Sequence, residues 1–270
     1  MARQWLLSRQ TQQTQTQTQG KHTMTKVKSA VIYDGPSLID GKPIVAIAVF
    51  SKSNRKTGPM VQTYILCKDI APLAASKSGQ DISICGTCPH RGIPTDDTSK
   101  KQAVSRSCYV VLGQGPTVVY KAFQRGIYPT VASHDVIAAL GQAKTVRLGT
   151  YGDPAAVPSY VWDSLISKSL AHTAYTHQSN HATAEKRPDI YMTSADSLEQ
   201  ARKAWANGER TFRVVSGVDD ITQDEILCPA SKEAGQRVTC AKCKLCGGAN
   251  VLAKSIAIPA HGAGVSHIAA

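Results

Sequence analysis

Seven of the eight cysteines fall into two groups, and the denser group lies near the carboxyl end of the chain. Cys228, Cys240, Cys243 and Cys246 lie within nineteen residues, and the last three follow one another at two-residue separations. Two intervening residues allow neighbouring thiolates to turn towards one metal ion or cluster. Thiols this dense are prone to oxidation unless a metal binds them. The segment therefore predicts a cysteine-bound metal centre.

The spacing of these four cysteines bears on which metal they bind. Structural zinc sites usually pair two Cys-x2-Cys knuckles across a longer spacer. A repeated Cys-x2-Cys-x2-Cys with a remote Cys228-Pro229 is closer to the pattern of ferredoxins. We therefore predict an iron-sulfur cluster, with a zinc ion as the alternative.

The second group contains three cysteines, Cys85, Cys88 and Cys108. Three ligands leave one iron of a four-iron cluster, or one zinc position, open to a substrate, a cofactor or water. Alternatively, Cys67 or His90 supplies a fourth ligand and closes the group as a structural zinc site. The sequence leaves both alternatives open, and the first predicts a reaction centre.

Composition divides the chain into three parts. Residues 1–26 contain a Gln/Thr-rich repeat that has no apolar residue to bury, so we predict a disordered tail, with Met24 as an alternative start. Short apolar runs over residues 27–80 predict a small N-terminal β-rich element. Residues 81–270 are predicted to form an α/β domain that contains both cysteine groups.

Helical and strand patterns alternate from about residue 115, which is typical of a parallel sheet built from βαβ units. About five repeats are present, fewer than the eight of a complete (β/α) barrel. The predicted fold is therefore α/β, either a partial (β/α) barrel or an open parallel sheet. A small N-terminal β element and a C-terminal Cys-rich metal-binding segment complete it. The strands are predicted at 145–148, 172–176, 190–193, 211–215 and 255–259.

Polar residues follow several of these strands directly. Gly152 and Asp153 follow the first strand, His177 the second, Asp196 the third and His261 the last. Each residue alone is explained by an ordinary turn or helix cap. Their recurrence indicates a binding crevice, because the carboxyl ends of parallel strands meet at one edge of the sheet.

The cysteines and one strand end resemble motifs of the radical S-adenosylmethionine (SAM) superfamily. Cys108 is followed by an aromatic residue, Tyr109, as is the last cysteine of that superfamily's motif, although the superfamily's usual spacing is Cys-x3-Cys-x2-Cys. The resemblance implies that Cys85, Cys88 and Cys108 hold a four-iron cluster that binds SAM, with the denser group as an auxiliary cluster. The segment Tyr151-Gly152-Asp153-Pro154 would correspond to the superfamily's Gly-Gly-Glu-Pro, which contacts the SAM amino group. The predicted cofactor-binding residues are Tyr151, Gly152, Asp153 and Pro154 from this resemblance, together with His177 and Asp196 from the strand ends.

Strings over residues 84–262 also resemble an uncharacterised phage-encoded family of cysteine-rich proteins. Among them are Ile-Cys-Gly-Thr-Cys-Pro-His-Arg-Gly from residue 84 and Arg-Leu-Gly-Thr-Tyr-Gly-Asp-Pro from residue 147. This resemblance implies a viral or prophage origin, with the host cytoplasm as the location. It implies no reaction.

Charge and hydropathy limit the classes of molecule that the protein is expected to bind. The formal net charge is +12, which suits a polyanion such as nucleic acid or a nucleotide, although part of the excess lies before residue 34. The longest apolar run, 44–50, is far short of the roughly 20 residues of a membrane span, so we predict a cytoplasmic protein without a membrane partner.

The predicted function is a phage-type iron-sulfur protein, a radical SAM-like enzyme acting on nucleic acid or a nucleotide. The alternatives are a non-enzymatic zinc protein that binds nucleic acid and a phage accessory protein with a structural metal centre.

Overall fold

The structure is a computed structural model that describes residues 28–262 and 264–268. The predicted disordered tail over 1–26 and the alternative start at Met24 lie outside these residues. The described chain forms a mixed α/β fold with two five-stranded sheets. No helix in the described ranges combines the length and the apolar composition needed to cross a bilayer.

The first sheet begins as an antiparallel meander and continues as parallel strands. Its order is β1-β2-β3-β4-β5, in which β3, β4 and β5 run parallel. Because β2 and β3 lie in the middle of the sheet, both are largely apolar and buried. The strands are β1 (Ser29–Pro36), β2 (Pro43–Ser51), β3 (Met60–Cys67), β4 (Thr145–Tyr151) and β5 (Ala171–Thr173).

The second sheet is entirely parallel, with the order β6-β7-β8-β10-β9. A single residue, Ala174, separates β6 from β5 of the first sheet. Its backbone N–H donates to the carbonyl of Cys246 at 3.0 Å instead of continuing the first sheet. The strands are β6 (Tyr175–Thr176), β7 (Met192–Ala195), β8 (Thr211–Val215), β9 (Glu225–Leu227) and β10 (Ser255–Pro259).

Seven helices connect the strands in the described chain. The pair α4 and α5 packs closely, because Gly141 leaves room for the backbone carbonyl of Leu165 where a Cβ atom would overlap it. The helices are α1 (Pro72–Ser78), α2 (Ile82–Cys85), α3 (Gly115–Gln124), α4 (His134–Gly141), α5 (Ser159–Ile166), α6 (Leu198–Ala206) and α7 (Cys240–Cys243).

The α/β class is confirmed. The described strands form two open sheets and no closed barrel: the edge strands are β1 and β5 in the first sheet and β6 and β9 in the second. The N-terminal strands share one sheet with the α/β repeats, because β3 pairs with β4. Several element boundaries were wrong. The strand predicted at 145–148 continues to Tyr151, and the strand predicted at 172–176 is divided at Ala174 between β5 and β6. The approximately helical spacing of Val157, Val161, Leu165 and Leu170 predicts one helix, but α5 ends at Ile166 and Leu170 is exposed. The strand predicted from Ile190 starts at Met192, because Ile190 and Tyr191 close a turn onto the carbonyl of Arg187.

Two hydrophobic cores support the sheets. The larger core surrounds the first sheet and includes the fully buried Trp162 and Leu148. The smaller core lies on the second sheet, where Ile256 and Ile258 pack with Cys228 and Cys246. Two cysteines of the C-terminal group are therefore part of a packed core rather than of a surface loop.

Candidate functional site

Both cysteine groups face one cavity of about 190 Å3 at the carboxyl ends of the parallel strands. Cys85, Cys88 and Cys108 line one wall, and Cys228 and Cys240 line another. Sequence separation gave no indication of this arrangement. We call Cys85, Cys88 and Cys108 the three-thiol set, and Cys228, Cys240, Cys243 and Cys246 the four-thiol set.

The three thiols of the first set converge. Burial raises the pKa of the Cys85 thiol well above its ordinary value, and the nearby Asp81, Cys88 and Cys108 raise it further. Cys88 also raises the pKa of Cys108, where burial has the largest effect. Since every pair of thiols in the set interacts electrostatically, the three thiols lie near one another.

All four thiols of the second set also lie near one another. Burial raises the pKa of Cys246 to about 12, and Cys228, Cys240 and Cys243 add to that increase. Cys228 interacts with Cys240 and Cys243, which interact in turn with each other. Cys243 and Cys246 do not line the cavity. Only Cys228 and Cys240 of this set therefore face the cavity.

The cysteine sulfurs of the described residues do not form a compact group of three. In the described part of the chain, no three cysteine sulfurs lie within 4.8 Å of one another. A tetrahedral zinc ion with ligands at about 2.3 Å would bring its thiolate sulfurs to about 3.8 Å apart. In a four-iron cluster each thiolate binds a different iron, so the sulfurs are farther apart.

Arg91 positions the loop that carries the first two cysteines. Its guanidinium donates to Asp81 Oδ1 at 2.6 Å and to the carbonyls of Gly79 at 2.8 Å and Gly86 at 3.0 Å. Asp81 in turn accepts the backbone N–H of Cys85 on its carbonyl at 2.9 Å. The ion pair therefore fixes both ends of α2 and the start of the Cys85–Cys88 turn.

Gln178 holds the same turn from the opposite side. The fully buried amide donates to the carbonyl of Cys85 at 3.1 Å and accepts the backbone N–H of Thr87 at 3.4 Å. Gly86 lies directly beneath it with φ +55°, and a Cβ atom there would overlap the Gln178 side chain. The turn therefore requires glycine between the two cysteines.

Arg210 has the corresponding role for the four-thiol set. Its guanidinium donates to four backbone carbonyls in the loop that surrounds and follows Cys246. A buried arginine that satisfies several carbonyls replaces the regular secondary structure that this loop lacks. Those carbonyls belong to Leu245, Gly248, Ala253 and Lys254, at 2.6 to 3.0 Å.

A second ion pair positions β9, the strand that directly precedes Cys228. Arg213 on β8 contacts Glu225 on β9 at 2.6 Å, and both side chains are buried. Burial raises the pKa of Glu225, but the hydrogen bonds from Arg213 and Thr222 outweigh burial and leave the pKa below its ordinary value. The pair fixes β9 three residues before Cys228.

Only part of the segment that resembles the SAM-contacting motif lies at the cavity. Tyr151, Gly152 and Asp153 line it, whereas Pro154 is buried behind it. The Asp153 carboxylate accepts from Thr176 Oγ1 at 2.7 Å and from the backbone N–H of His177 at 2.8 Å. Asp153 therefore ties β4 to β6 through both of its oxygens. The Tyr151 hydroxyl is buried without a hydrogen-bond partner among the described residues.

The two histidines near the three-thiol set share one carboxylate. His90 Nε2 and His177 Nε2 lie 3.1 and 3.2 Å from Asp196 Oδ1, and these are the three side chains in the described ranges close enough to hold one metal ion. Burial lowers the pKa of His177, but the Asp196 and Cys88 side chains outweigh burial and raise it well above its ordinary value. His177 therefore lies between Cys88 and Asp196.

The two residues considered as a fourth ligand differ in position. His90 lines the cavity beside the three-thiol set, and its Nδ1 contacts Ser107 Oγ at 2.8 Å. Cys67 does not line the cavity, and its thiol lies 3.5 Å from the carbonyl of Gln80. A fourth ligand from His90 therefore stays an open alternative for this set.

Basic and aromatic side chains lie at the four-thiol end of the cavity, and sequence reasoning missed most of them. They include Lys56 from the β2–β3 loop, Arg147 from β4 and Tyr175 from β6. One feature of the sequence could have identified Arg147, because it is a charged residue inside an otherwise apolar buried strand. Lys56 had none, because it lies in an ordinary polar loop.

Comparison with known proteins adds nothing to this geometry. No family model, no curated protein and no solved structure matches the chain. The functional interpretation therefore depends on the cavity and the residues around it.

Proposed function

We propose that the protein is an iron-sulfur enzyme with radical SAM-like chemistry and two cysteine-bound clusters. The three-thiol set would hold a four-iron cluster with one iron open to the cavity, and the four-thiol set would hold an auxiliary cluster. The observation that carries the proposal is the shared cavity, because thiols of both sets line it. A protein in which both centres were only structural would not need this arrangement.

The sequence spacing of the cysteines supports clusters rather than zinc ions. The repeated Cys-x2-Cys-x2-Cys with the remote Cys228-Pro229 is closer to the pattern of ferredoxins than to paired zinc knuckles. Every cysteine in the described chain is a free thiol, which suits a reducing compartment such as the host cytoplasm.

The three-thiol set supports a reaction centre because all three of its thiols line the cavity. A cluster held by three cysteines supplies the electron that cleaves SAM when that cofactor is bound. The protein's own contribution is to position the open side. Gly152 and Tyr151 border that side, and Asp153 holds the two strand ends together.

A nucleotide or nucleic-acid substrate is supported by the cavity's remaining walls. Tyr109, Tyr175 and Phe212 provide aromatic surfaces against which a base can stack. Lys56 and Arg147 provide positive charge in the same cavity, and the whole chain has a net charge of +12. The resemblance to phage-encoded proteins supports a viral origin for this enzyme.

SAM binding and cleavage test the proposal. Protein purified without oxygen and reduced with dithionite should convert SAM to 5′-deoxyadenosine. The double variant Cys85→Ala/Cys88→Ala should lose both SAM binding and cleavage, whereas Cys240→Ala/Cys243→Ala should keep SAM binding. Unchanged SAM binding by the first variant, or no binding by the unmodified iron-loaded protein, would refute the enzyme proposal.

A further inference from the structure

We propose that Lys56 and Arg147 form an oxyanion-binding subsite that takes a phosphate or carboxylate group of the substrate. The proposal rests on the proposed function, because it names the chemistry of the molecule that occupies the same cavity. The subsite lies near Cys240 of the four-thiol set, with which both cations interact electrostatically. It predicts that the substrate is an anion whose charged end faces Cys228 and Cys240.

The two cations lie close together around one aromatic ring. Lys56 Nζ and the Arg147 guanidinium carbon each lie 5.9 Å from the centre of the Tyr109 ring. Lys56 Nζ contacts His261 Nε2 at 2.9 Å, and the His261 ring stacks on Tyr109 with the ring centres 5.8 Å apart. One small region therefore holds a lysine, an arginine and a histidine.

Arg147 has donor capacity that the described residues leave unused. The residue is 8% exposed, and one terminal nitrogen, Nη2, donates to the Tyr109 hydroxyl. Its Nε is buried and has no hydrogen-bond partner among the described residues. A buried, unpartnered guanidinium donor is costly, and guanidinium geometry matches the paired oxygens of a phosphate or carboxylate.

No carboxylate in the described chain pairs with either cation. The two carboxylates that line the cavity are Asp153 and Asp196. Asp153 is held by Thr176 and the His177 backbone, and Asp196 by the imidazoles of His90 and His177. Lys56 and Arg147 repel each other, whereas Glu233, Cys228 and Cys240 interact favourably with Lys56. An incoming anion would relieve the repulsion between the two cations.

Aromatic rings beside the two cations suit an anion that also carries a planar group. Arg147 lies 5.9 Å from the centre of the Tyr175 ring, and Tyr175 packs on Phe212 with centres 4.5 Å apart. Base–aromatic stacking next to a phosphate contact is the usual combination for nucleotides. The subsite therefore fits the phosphate of a nucleotide substrate.

The competing interpretation is that the two cations only balance the charge of the four-thiol centre. Lys56 interacts electrostatically with Cys228 and Cys240, and Arg147 interacts with Cys240. In that case the cations would affect the metal content of the four-thiol set and would leave anion binding unchanged. The two interpretations are therefore separable by measuring both properties on the same samples.

The experiment is calorimetric titration of the iron-loaded protein with inorganic phosphate and, separately, with acetate, at low ionic strength. We expect one saturable site for at least one of the two anions. Lys56→Gln and Arg147→Gln should each weaken binding about tenfold or more, whereas Arg147→Lys should retain part of the affinity. Lys52→Gln, which removes an exposed lysine from the same loop, is the matched control and should bind as the unmodified protein does.

The outcomes distinguish this inference from the proposed function. Tighter phosphate binding points to a phosphorylated substrate, and tighter acetate binding to a carboxylate. Two results would overturn the subsite and leave the iron-sulfur proposal standing. In the first, the iron-loaded protein binds neither anion. In the second, Lys56→Gln and Arg147→Gln bind the anions as well as the unmodified protein does. Protein that takes up no iron refutes the iron-sulfur proposal instead. Thermal melting of each variant identifies any loss of fold, and Lys56→Gln tests the subsite from a loop outside the core.

Discussion

The two cysteine sets are positioned by the same device but differ in how completely the protein encloses them. An arginine holds each supporting loop through backbone carbonyls, Arg91 for the three-thiol set and Arg210 for the four-thiol set. The four-thiol set is part of the smaller hydrophobic core through Cys228 and Cys246. All members of the three-thiol set line the cavity, and only part of the four-thiol set does.

This difference indicates a division of roles. Under the proposed function, the four thiols, of which Cys228 and Cys246 are in the smaller core, would complete a cluster that serves in electron transfer or substrate contact. Three ligands on a cavity wall leave a coordination position for an exogenous group. The arginine-held loops explain how two chain segments that contain only the four-residue helices α2 and α7 can present their thiols in fixed positions.

The largest expected effect comes from removing one set at a time. Cys85→Ala/Cys88→Ala and Cys240→Ala/Cys243→Ala should each lose about half of the bound iron, about four atoms if both sites hold four-iron clusters. The other half should remain, because each set has its own loop and its own arginine. Metal analysis of the two variants checks this, and loss of all iron from either one would mean that the sets share a single centre.

The next effect comes from replacing the arginines that hold the loops. Arg210→Gln leaves several buried carbonyls unpaired and should destabilise the protein by about 3 kcal/mol, with selective loss of metal from the four-thiol set. Arg91→Gln should act selectively on the three-thiol set. Denaturant unfolding and metal content measure both effects, and Arg202→Gln, on the exposed surface of α6, is the control. Equal metal loss from both sets in either variant would contradict separate support.

A smaller effect is expected from a methyl group in the first cysteine turn. Gly86→Ala combines a left-handed backbone angle with an overlap on Gln178, and we expect a loss of about 2 to 3 kcal/mol. Gly208→Ala has a similar φ of +75° but open space around the added carbon, and it should cost only about 1 kcal/mol. Unfolding free energies of the two variants give the comparison. If both lose the same amount, the contact between Gly86 and Gln178 does not constrain the turn.

The smallest expected effect is on the pH dependence of stability, through Glu225 on the strand before Cys228. Because the pKa of Glu225 is lowered in the folded protein, its contribution to stability is present above the unfolded pKa of about 4.5 and is lost as pH falls through the folded pKa. The melting temperature should therefore fall on acidification below about pH 5, and Glu225→Gln should flatten that dependence. An equally steep acid profile in Glu225→Gln would assign the effect to other groups.

The sequence predicted local features better than their assembly. The two cysteine groups, the α/β class and the polar strand ends at Asp153, His177 and Asp196 were recognisable from spacing and periodicity. The common cavity was not, because Cys108 and Cys228 are separated by 120 residues and nothing local encodes their approach. Short elements such as α2 and α7 span four residues each, too few to show a helical period.

Side chains whose role depends on tertiary contacts were equally hidden. Arg91 and Arg210 look like ordinary polar residues in sequence, and only the folded chain shows which carbonyls they bind. Asp153 was expected to contact a cofactor, whereas the structure places its carboxylate on Thr176 and the backbone of His177. Its cofactor role stays a prediction, and its structural role explains why an acidic residue follows β4.

The most direct test of two iron-sulfur centres around one cavity is metal, sulfide and visible-absorbance analysis of unmodified protein purified without oxygen. We predict about eight iron atoms and eight sulfides per chain, with broad absorbance near about 400 nm that dithionite bleaches. Colourless protein with stoichiometric zinc and no acid-labile sulfide would contradict this account. That result would favour the alternative of a zinc protein that binds nucleic acid or of an accessory protein with a structural metal centre.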